Sequence, residues 1–195
     1  MGILNLTPDS FSDGGRFWTA GRGEGSIDPE AVLAQGRTML AAGAELLDLG
    51  AESTRPAGKA YGAGAAAVPA DEELRRLLPV LERLRAETDA VLSVDTRKGV
   101  VARRALAAGA DLVNDVTALA DPELAATVAA AGCPVVLMHS RGETADMHRH
   151  ARYDDVVREV RDELAAALAR AEAAGIARQQ TVLDPGIGFA KTRPH

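Results

Sequence analysis

Short apolar runs recur along the chain, each closing on a polar or sulfur-bearing residue. Four of them follow an alanine-rich stretch that ends Ala-Ala-Gly. Ala41-Ala42-Gly43 precedes Leu46 to Asp48, Ala107-Ala108-Gly109 precedes Leu112 to Asn114, Ala130-Ala131-Gly132 precedes Val135 to His139, and Ala173-Ala174-Gly175 precedes Val182 to Asp184. A glycine just past the last helical turn permits a left-handed C-cap, and a short, nearly all-apolar run is a strand buried on both faces. The pattern therefore predicts a repeated helix-then-strand unit with parallel strands. Val91 to Asp95 and Gly2 to Asn5 fit the same scheme without the glycine.

Helix starts are written explicitly. Asp28-Pro29-Glu30 and Asp121-Pro122-Glu123 each supply an N-cap acid, a proline at the first helical position and a first-turn acid. Leu74, Leu77, Leu78, Leu81 and Leu84 form one apolar stripe at helical spacing, and Val156, Val157, Val160, Leu164, Leu168 and Ala171 another. Arg75, Arg76, Glu82, Arg83, Arg158 and Asp162 decorate the opposite, solvated faces. The spacing predicts strands at 2–6, 45–49, 91–95, 111–116, 134–138 and 181–184, with helices at 28–42, 71–87, 97–108, 122–131 and 154–174. Each strand then delivers its terminal polar group to the same side of the sheet, where the functional surface of such folds lies.

Two Gly-rich stretches interrupt this regularity, Thr7 to Ser26 and Gly50 to Pro69. Both are long and follow strand C-ends, so both are candidate lids over a substrate. Gly62-Ala63-Gly64 lacks the third glycine and the following helix of a dinucleotide motif, and reads as plain loop.

Composition adds limits. The 195 residues, 47% of them hydrophobic, suit one α/β domain over 1–195. The charge of −6, from 28 acidic and 22 basic residues, argues against a general nucleic-acid binder. Cys133 stands alone before Pro134, which excludes an intramolecular disulfide and favours a buried, inert thiol. No apolar run approaches the ~20 residues of a membrane span and no signal segment opens the chain, so a cytoplasmic protein is expected.

The strand ends collect Asn5, Asp48, Asp95, Asn114, Asp115, Met138, His139 and Asp184. Carboxylates on an apolar sheet cost several kcal/mol unless donors meet them, and a ligand can supply those donors. Asp48 and Asp115 are equally suited to capping neighbouring loops. The ligand class follows from the residue types: Asp184 and Asn114 offer acceptors to an amino and imide edge, while Val116, Met138 and Phe189 offer apolar walls to a flat ring. Arg55 taken alone is a surface arginine, but beside Asn5 it could hold an anion. Arg97 and Lys98 oppose a helix dipole, which hints at anion contact, with solvation the simpler reading. His148 and His150 read as solvated loop residues rather than a metal site.

Six segments, in order, carry a resemblance: Met1 to Gly15, Asp48 to Pro56, Ser93 to Thr96, Asn114 to Val116, Leu137 to Gly142 and Asp184 to Thr192. Together they resemble the dihydropteroate synthase family of folate biosynthesis, over essentially the whole chain. The resemblance implies a TIM-type (β/α)8 barrel. It also implies the joining of para-aminobenzoate to 6-hydroxymethyl-7,8-dihydropterin diphosphate, with Mg²⁺ assisting and pyrophosphate released. On that resemblance Asn5 would ligate the metal, and Thr54 and Arg55 would meet the diphosphate and the arriving aminobenzoate. Asp95, Asn114 and Asp184 would bind the pterin edge, Val116, Met138 and Phe189 would line its pocket, and Lys191 would lie near the ring carbonyl. Phe11 and Pro56 would complete the aminobenzoate pocket once the loops order. Asp95, Asp184 and Arg55 would assist the chemistry, with no general base assigned.

Departures from the family pattern set further expectations. A barrel of this class has eight strands in ~250 residues, and this chain offers about six. The later Ser-Arg-Lys and Arg-Val-His segments of the family have no counterpart, so the expected domain is an incomplete barrel, truncated at its C-terminus and weak as a catalyst alone. Ala190 replaces a glycine, Leu6 a valine, and Ala57 directly follows Pro56. Other readings are a non-catalytic pterin-binding relic or assembly module and a pterin-binding methyltransferase domain. Small-molecule substrates are the expected partners, with a homodimer suggested by the family and neither nucleic acid nor membrane involved.

Overall fold

A computed structural model describes residues 1–7, 17–19, 26–52, 68–142 and 146–191. Along these the chain forms β1 (Gly2–Asn5), β2 (Trp18–Thr19), β3 (Ser26–Ile27), α1 (Pro29–Ala41), β4 (Leu46–Gly50) and α2 (Ala70–Glu87). It continues through β5 (Val91–Asp95), α3 (Gly99–Ala107), β6 (Leu112–Asp115), α4 (Pro122–Ala131), β7 (Val135–Met138), α5 (Val156–Ala173) and β8 (Thr181–Asp184). Among the described residues, six strands make one parallel sheet in the order β1-β4-β5-β6-β7-β8, so each strand pairs with the next in the repeat. Sequential parallel strands with a helix in each crossover are the arrangement of a TIM-type β/α barrel.

The local signals act as their chemistry requires. Asp28 caps α1 by accepting from the amides of Glu30 (3.0 Å) and Ala31 (3.3 Å), and Asp121 caps α4 through the amide of Glu123 (2.9 Å). The four glycines that end the Ala-Ala-Gly triplets all have positive φ, from 62° at Gly132 to 102° at Gly109. A side chain there would be strained, so the triplet marks where each helix must turn back toward the sheet.

Alternation along the strands sorts the core. Leu4, Leu47, Leu49, Leu92, Val94, Val113, Val135 and Leu137 are fully buried beneath the helices, against Leu33, Leu77, Leu81, Val101, Leu124 and Val128. Burying such side chains contributes about 1.5–3 kcal/mol each. Not every strand is buried on both faces as its composition predicts. At the two ends of the sheet order, Ile3 of β1 and Val182 of β8 are each 53% exposed. Those strands pair on one side only among the described residues.

Two other features differ from expectation. β2 and β3 pair as a small antiparallel ribbon inside the first Gly-rich stretch, too short for any periodicity to reveal. Met147–His150 forms a 3₁₀ turn, not open loop, because Met147 is buried and anchors it. Cys133 is half-buried, and burial raises its thiol above the ordinary value, in keeping with an inert side chain.

Candidate active site

Parallel strands in register carry paired residues on the same face. Asn5 lies opposite Gly50, Gly50 opposite Asp95, and Asp95 opposite Asn114. Asn114 lies opposite Val136, and Met138 opposite Asp184. Asp48 pairs with Ile3 and Ser93, two residues below that row and so on the same face. Asn5, Asp48, Asp95, Asn114, Met138 and Asp184 thus share the face turned away from the buried leucine layer, at the C-terminal ends of the strands. Asp115 has the opposite parity and leaves the group. Its buried carboxylate accepts from the amides of Thr117 (2.8 Å) and Leu119 (2.6 Å) and from the Thr117 hydroxyl (2.7 Å). Those bonds hold Ala118 and Leu119 at φ of 52° and 60°, so Asp115 serves the loop.

Asp48 is the floor of the site. It is buried, accepts from the Ser93 hydroxyl at 2.5 Å and from Asn114 Nδ2 at 3.1 Å, and burial raises its carboxyl despite those bonds. Donating Nδ2 downward leaves the Asn114 Oδ1 acceptor directed elsewhere. Asp95 is under greater pressure. Burial pushes its carboxyl well above the ordinary carboxylate range, and the charges of Asp48, Glu73, Asp115 and Glu52 add to the shift. No donor reaches the Asp95 carboxyl among the described residues. Gly50 makes room for it, since a Cβ there would stand 3.3 Å from Asp95 Oδ2.

Asp184 is half-buried and accepts from the Gly186 amide at 2.8 Å, while its carbonyl takes the His139 amide at 2.8 Å. Met138 is buried, and Val116 and Phe189 are half-buried. Lys191 differs from the others in direction. Its ammonium points into the turn that follows β8, meeting His139 Nδ1 (2.8 Å) and the carbonyls of Phe189 (2.9 Å), Gly186 (3.1 Å) and His139 (3.3 Å). Three hydrogens thus face four protein acceptors in the turn, which gives Lys191 an internal task.

Phe11, Thr54, Arg55 and Pro56 lie outside the described residues. The base of the second Gly-rich stretch is described, and a carboxylate closes it. Glu52 Oε1 accepts from the Val68 amide at 3.0 Å, so the chain leaves and returns at one point. Arg97 (3.2 Å) and Lys98 (2.7 Å) pair with the same carboxylate, and Lys98 also meets the buried Glu73 at 2.5 Å. Burial raises Glu52, but the hydrogen bonds from Arg97, Lys98 and Val68 outweigh it and hold the carboxyl below its ordinary value. The anion that Lys98 and the partly exposed Arg97 meet is thus a carboxylate of the chain itself. No local sequence signal joins residues so far apart in the chain, so the cluster is not legible in the sequence.

A parallel β/α sheet whose strand mouths gather acceptors beside apolar residues belongs to the β/α-barrel class, with its candidate site at the C-terminal ends of the strands. The family described as pterin binding enzyme matches residues 1–195, and the chain belongs to it. Dihydropteroate synthase of Synechocystis is 44% identical over 193 residues, covering 98% of this chain and 61% of that protein. The Escherichia coli K12 enzyme is 42% identical over 195 residues, covering 100% and 64%. The Yersinia pestis dihydropteroate synthase, solved with a sulfonamide drug complex, superposes with a TM-score of 0.88 at 42% identity, covering 100% of this chain and 65% of that one. The Xanthomonas albilineans dihydropteroate synthase, solved with 4-aminobenzoic acid, gives 0.81 at 48% identity, covering 98% and 62%. The chain thus spans somewhat over three-fifths of the length of these relatives.

Proposed function

We propose that the chain serves in dihydropteroate synthesis, with the pterin edge held by Asp95, Asn114 and Asp184. The observation that carries this is the row of acceptors in register on one face, Asp95 beside Asn114 above Asp48, with Asp95 half-buried and its carboxyl raised by burial and by four neighbouring carboxylates. A ligand edge rich in N–H donors would meet those acceptors, which favours a guanidine-like partner. Val116, Met138 and Phe189 supply the walls for its ring. A Xanthomonas albilineans relative has been solved with 7,8-dihydropteroate, the product this reading requires.

In the reaction the C–O bond between the pterin methylene and the diphosphate breaks, its electron pair leaving on the diphosphate oxygen. The aniline nitrogen then forms the new C–N bond, and its surplus proton passes to solvent. Asp95 and Asp184 favour the positive charge that develops on the pterin side, and Thr54 and Arg55 would meet the departing diphosphate. Phe11 and Pro56 would flank the aminobenzoate. Asn5, at the end of β1, is the residue that would ligate a Mg²⁺, an ion that takes oxygen ligands and few of them from protein. That ion, when bound, would supply charge neutralisation at the leaving group. An aniline is a weak nucleophile, so orientation and exclusion of water carry more of the rate than a base.

Titration with 6-hydroxymethylpterin tests the reading. Asp184→Asn should weaken binding by roughly ten- to a hundredfold, as expected for one charged hydrogen bond. Pyrophosphate release that depends on added para-aminobenzoate, and that falls with Asp95→Asn, completes the case. Unchanged pterin affinity in Asp184→Asn refutes the placement of the ring edge.

A further inference from the structure

The Lys191 ammonium sits at the centre of the turn from Asp184 to Lys191, and that turn is costly to form alone. Gly186 (62°), Gly188 (93°) and Ala190 (51°) all have positive φ, and Ala190 pays for it with a side chain. Gly186 also runs so close to the end of β7 that a Cβ there would stand 2.1 Å from the His139 carbonyl oxygen. What closes the turn is Lys191, which bridges carbonyls at both ends of it to His139. The His139 ring is in turn fixed from behind, with Nε2 2.9 Å from Glu163 of α5.

We infer that His139, steadied by Glu163, is a positioning residue for the pterin: it holds Lys191 in place and so shapes the turn that carries Asp184 and Phe189. This rests on the pterin-binding reading above. The geometry dictates the tautomer. Nδ1 must accept from the ammonium, so the ring proton sits on Nε2 and is donated to Glu163. A second proton on the ring would turn Nδ1 into a donor facing a cation at 2.8 Å, and the pair would separate. Two cations at that distance repel, so the ammonium would be pushed off the carbonyls it bridges, and the turn that carries Asp184 would shift.

The charged groups around the imidazole come from every side. Lys191 lies on the turn, Glu163 and Arg170 on α5, and Arg141 just beyond β7, paired with Glu163 and Glu159 and stacked over Tyr153 at 4.0 Å. Asp184 acts on Lys191 across the turn. A cavity of about 190 Å³, lined by His139, Ser140, Glu163 and Arg170 among others, adjoins the ring. Burial lowers the His139 pKa, Lys191 lowers it further and Glu163 partly opposes them, so the neutral form dominates at neutral pH. Burial likewise brings Lys191 down to about 8, leaving it mostly charged there.

The test compares His139→Gln, His139→Leu and Glu163→Gln with the unaltered chain, using 6-hydroxymethylpterin titrations from about pH 5 to 8. Glutamine can accept from Lys191 and donate to Glu163, so it should bind within about threefold of the parent, whereas leucine should lose about tenfold, the effect of one hydrogen bond. Below pH 6.5 the parent should lose affinity more steeply than His139→Gln, which has no imidazole to titrate. Glu163→Gln should move that acid limb to lower pH, since a neighbouring carboxylate favours the imidazolium. Equal binding by His139→Leu, or parallel acid limbs in parent and His139→Gln, overturns the inference. Should the parent bind no pterin, the functional reading fails, but the latch is still decided by ligand-free NMR. The Gly186 and Gly188 amide signals must then titrate together with the His139 ring, and signals that stay fixed refute it.

Discussion

Replacing Asp48 separates the two contributions that a buried carboxylate makes, hydrogen bonding and charge. Its two oxygens accept from Ser93 and Asn114 at 2.5 and 3.1 Å, and both Asp48 and Ser93 are buried. Asp48→Ala strips an acceptor from each partner, at about 1–3 kcal/mol apiece, partly offset by removal of a buried charge. A net loss of about 2–4 kcal/mol follows. Asp48→Asn keeps the shape: the amide oxygen accepts from Asn114, and the amide nitrogen donates to a Ser93 hydroxyl free to rotate. Its stability should stay within about 1 kcal/mol of the parent near neutral pH. The pH dependence gives the sharper check. Burial raises the Asp48 carboxyl, so the folded chain holds this proton more tightly than the unfolded one. The stability that this adds is fully present below the ordinary carboxylate pKa and is lost as pH rises through the folded value. Asp48→Asn escapes that loss, so its stability relative to the parent should improve from acid toward neutral pH. Urea unfolding followed by circular dichroism, at constant m-value, measures the difference. Asparagine as damaging as alanine at every pH, or a difference that stays flat, would refute the account of a strained carboxylate floor.

Two further substitutions probe the frame around the site. Gly186→Ala places a Cβ 2.1 Å from the His139 carbonyl oxygen at a φ of 62°, so it should cost about 3 kcal/mol or more, read as a lower melting temperature together with lost pterin binding. Glu73→Ala removes the buried acceptor of the Thr96 hydroxyl (2.6 Å) and Lys98 (2.5 Å), and should cost about 3–5 kcal/mol in urea unfolding, with Glu73→Gln losing less. A Glu73→Ala chain as stable as its parent would show that the ion pair is not needed to hold α2 against the start of α3.

Much of the fold is legible in the residues alone because its signals are local. A glycine past the last helical turn, an aspartate before a proline and a run of four apolar residues each act through neighbours within one turn. The strand order follows as well, since sequential parallel strands joined by short crossovers lie side by side. Strand parity also places Asp48, Asp95, Asn114, Met138 and Asp184 on one face once the register is known. The partners of the charged residues are not legible in this way. Glu52 meets Arg97 and Lys98, and Glu163 meets His139 and Arg141, each across a separation that no sequence period spans.

By itself, then, the sequence determined the alternation of helix and strand, the gathering of polar groups at one end of the sheet, and the family whose motifs those groups spell. Tertiary structure alone decided which groups stand together on one face of the sheet and which turn away from it. Asp115 went to its own loop because parity put it on the opposite face, and the Lys191 ammonium went inward because a tight turn offered it four acceptors. The physical reason is the same in both cases. A polar group taken out of water binds the nearest partner of opposite character, and nearness in a folded chain is set by packing rather than by position along it.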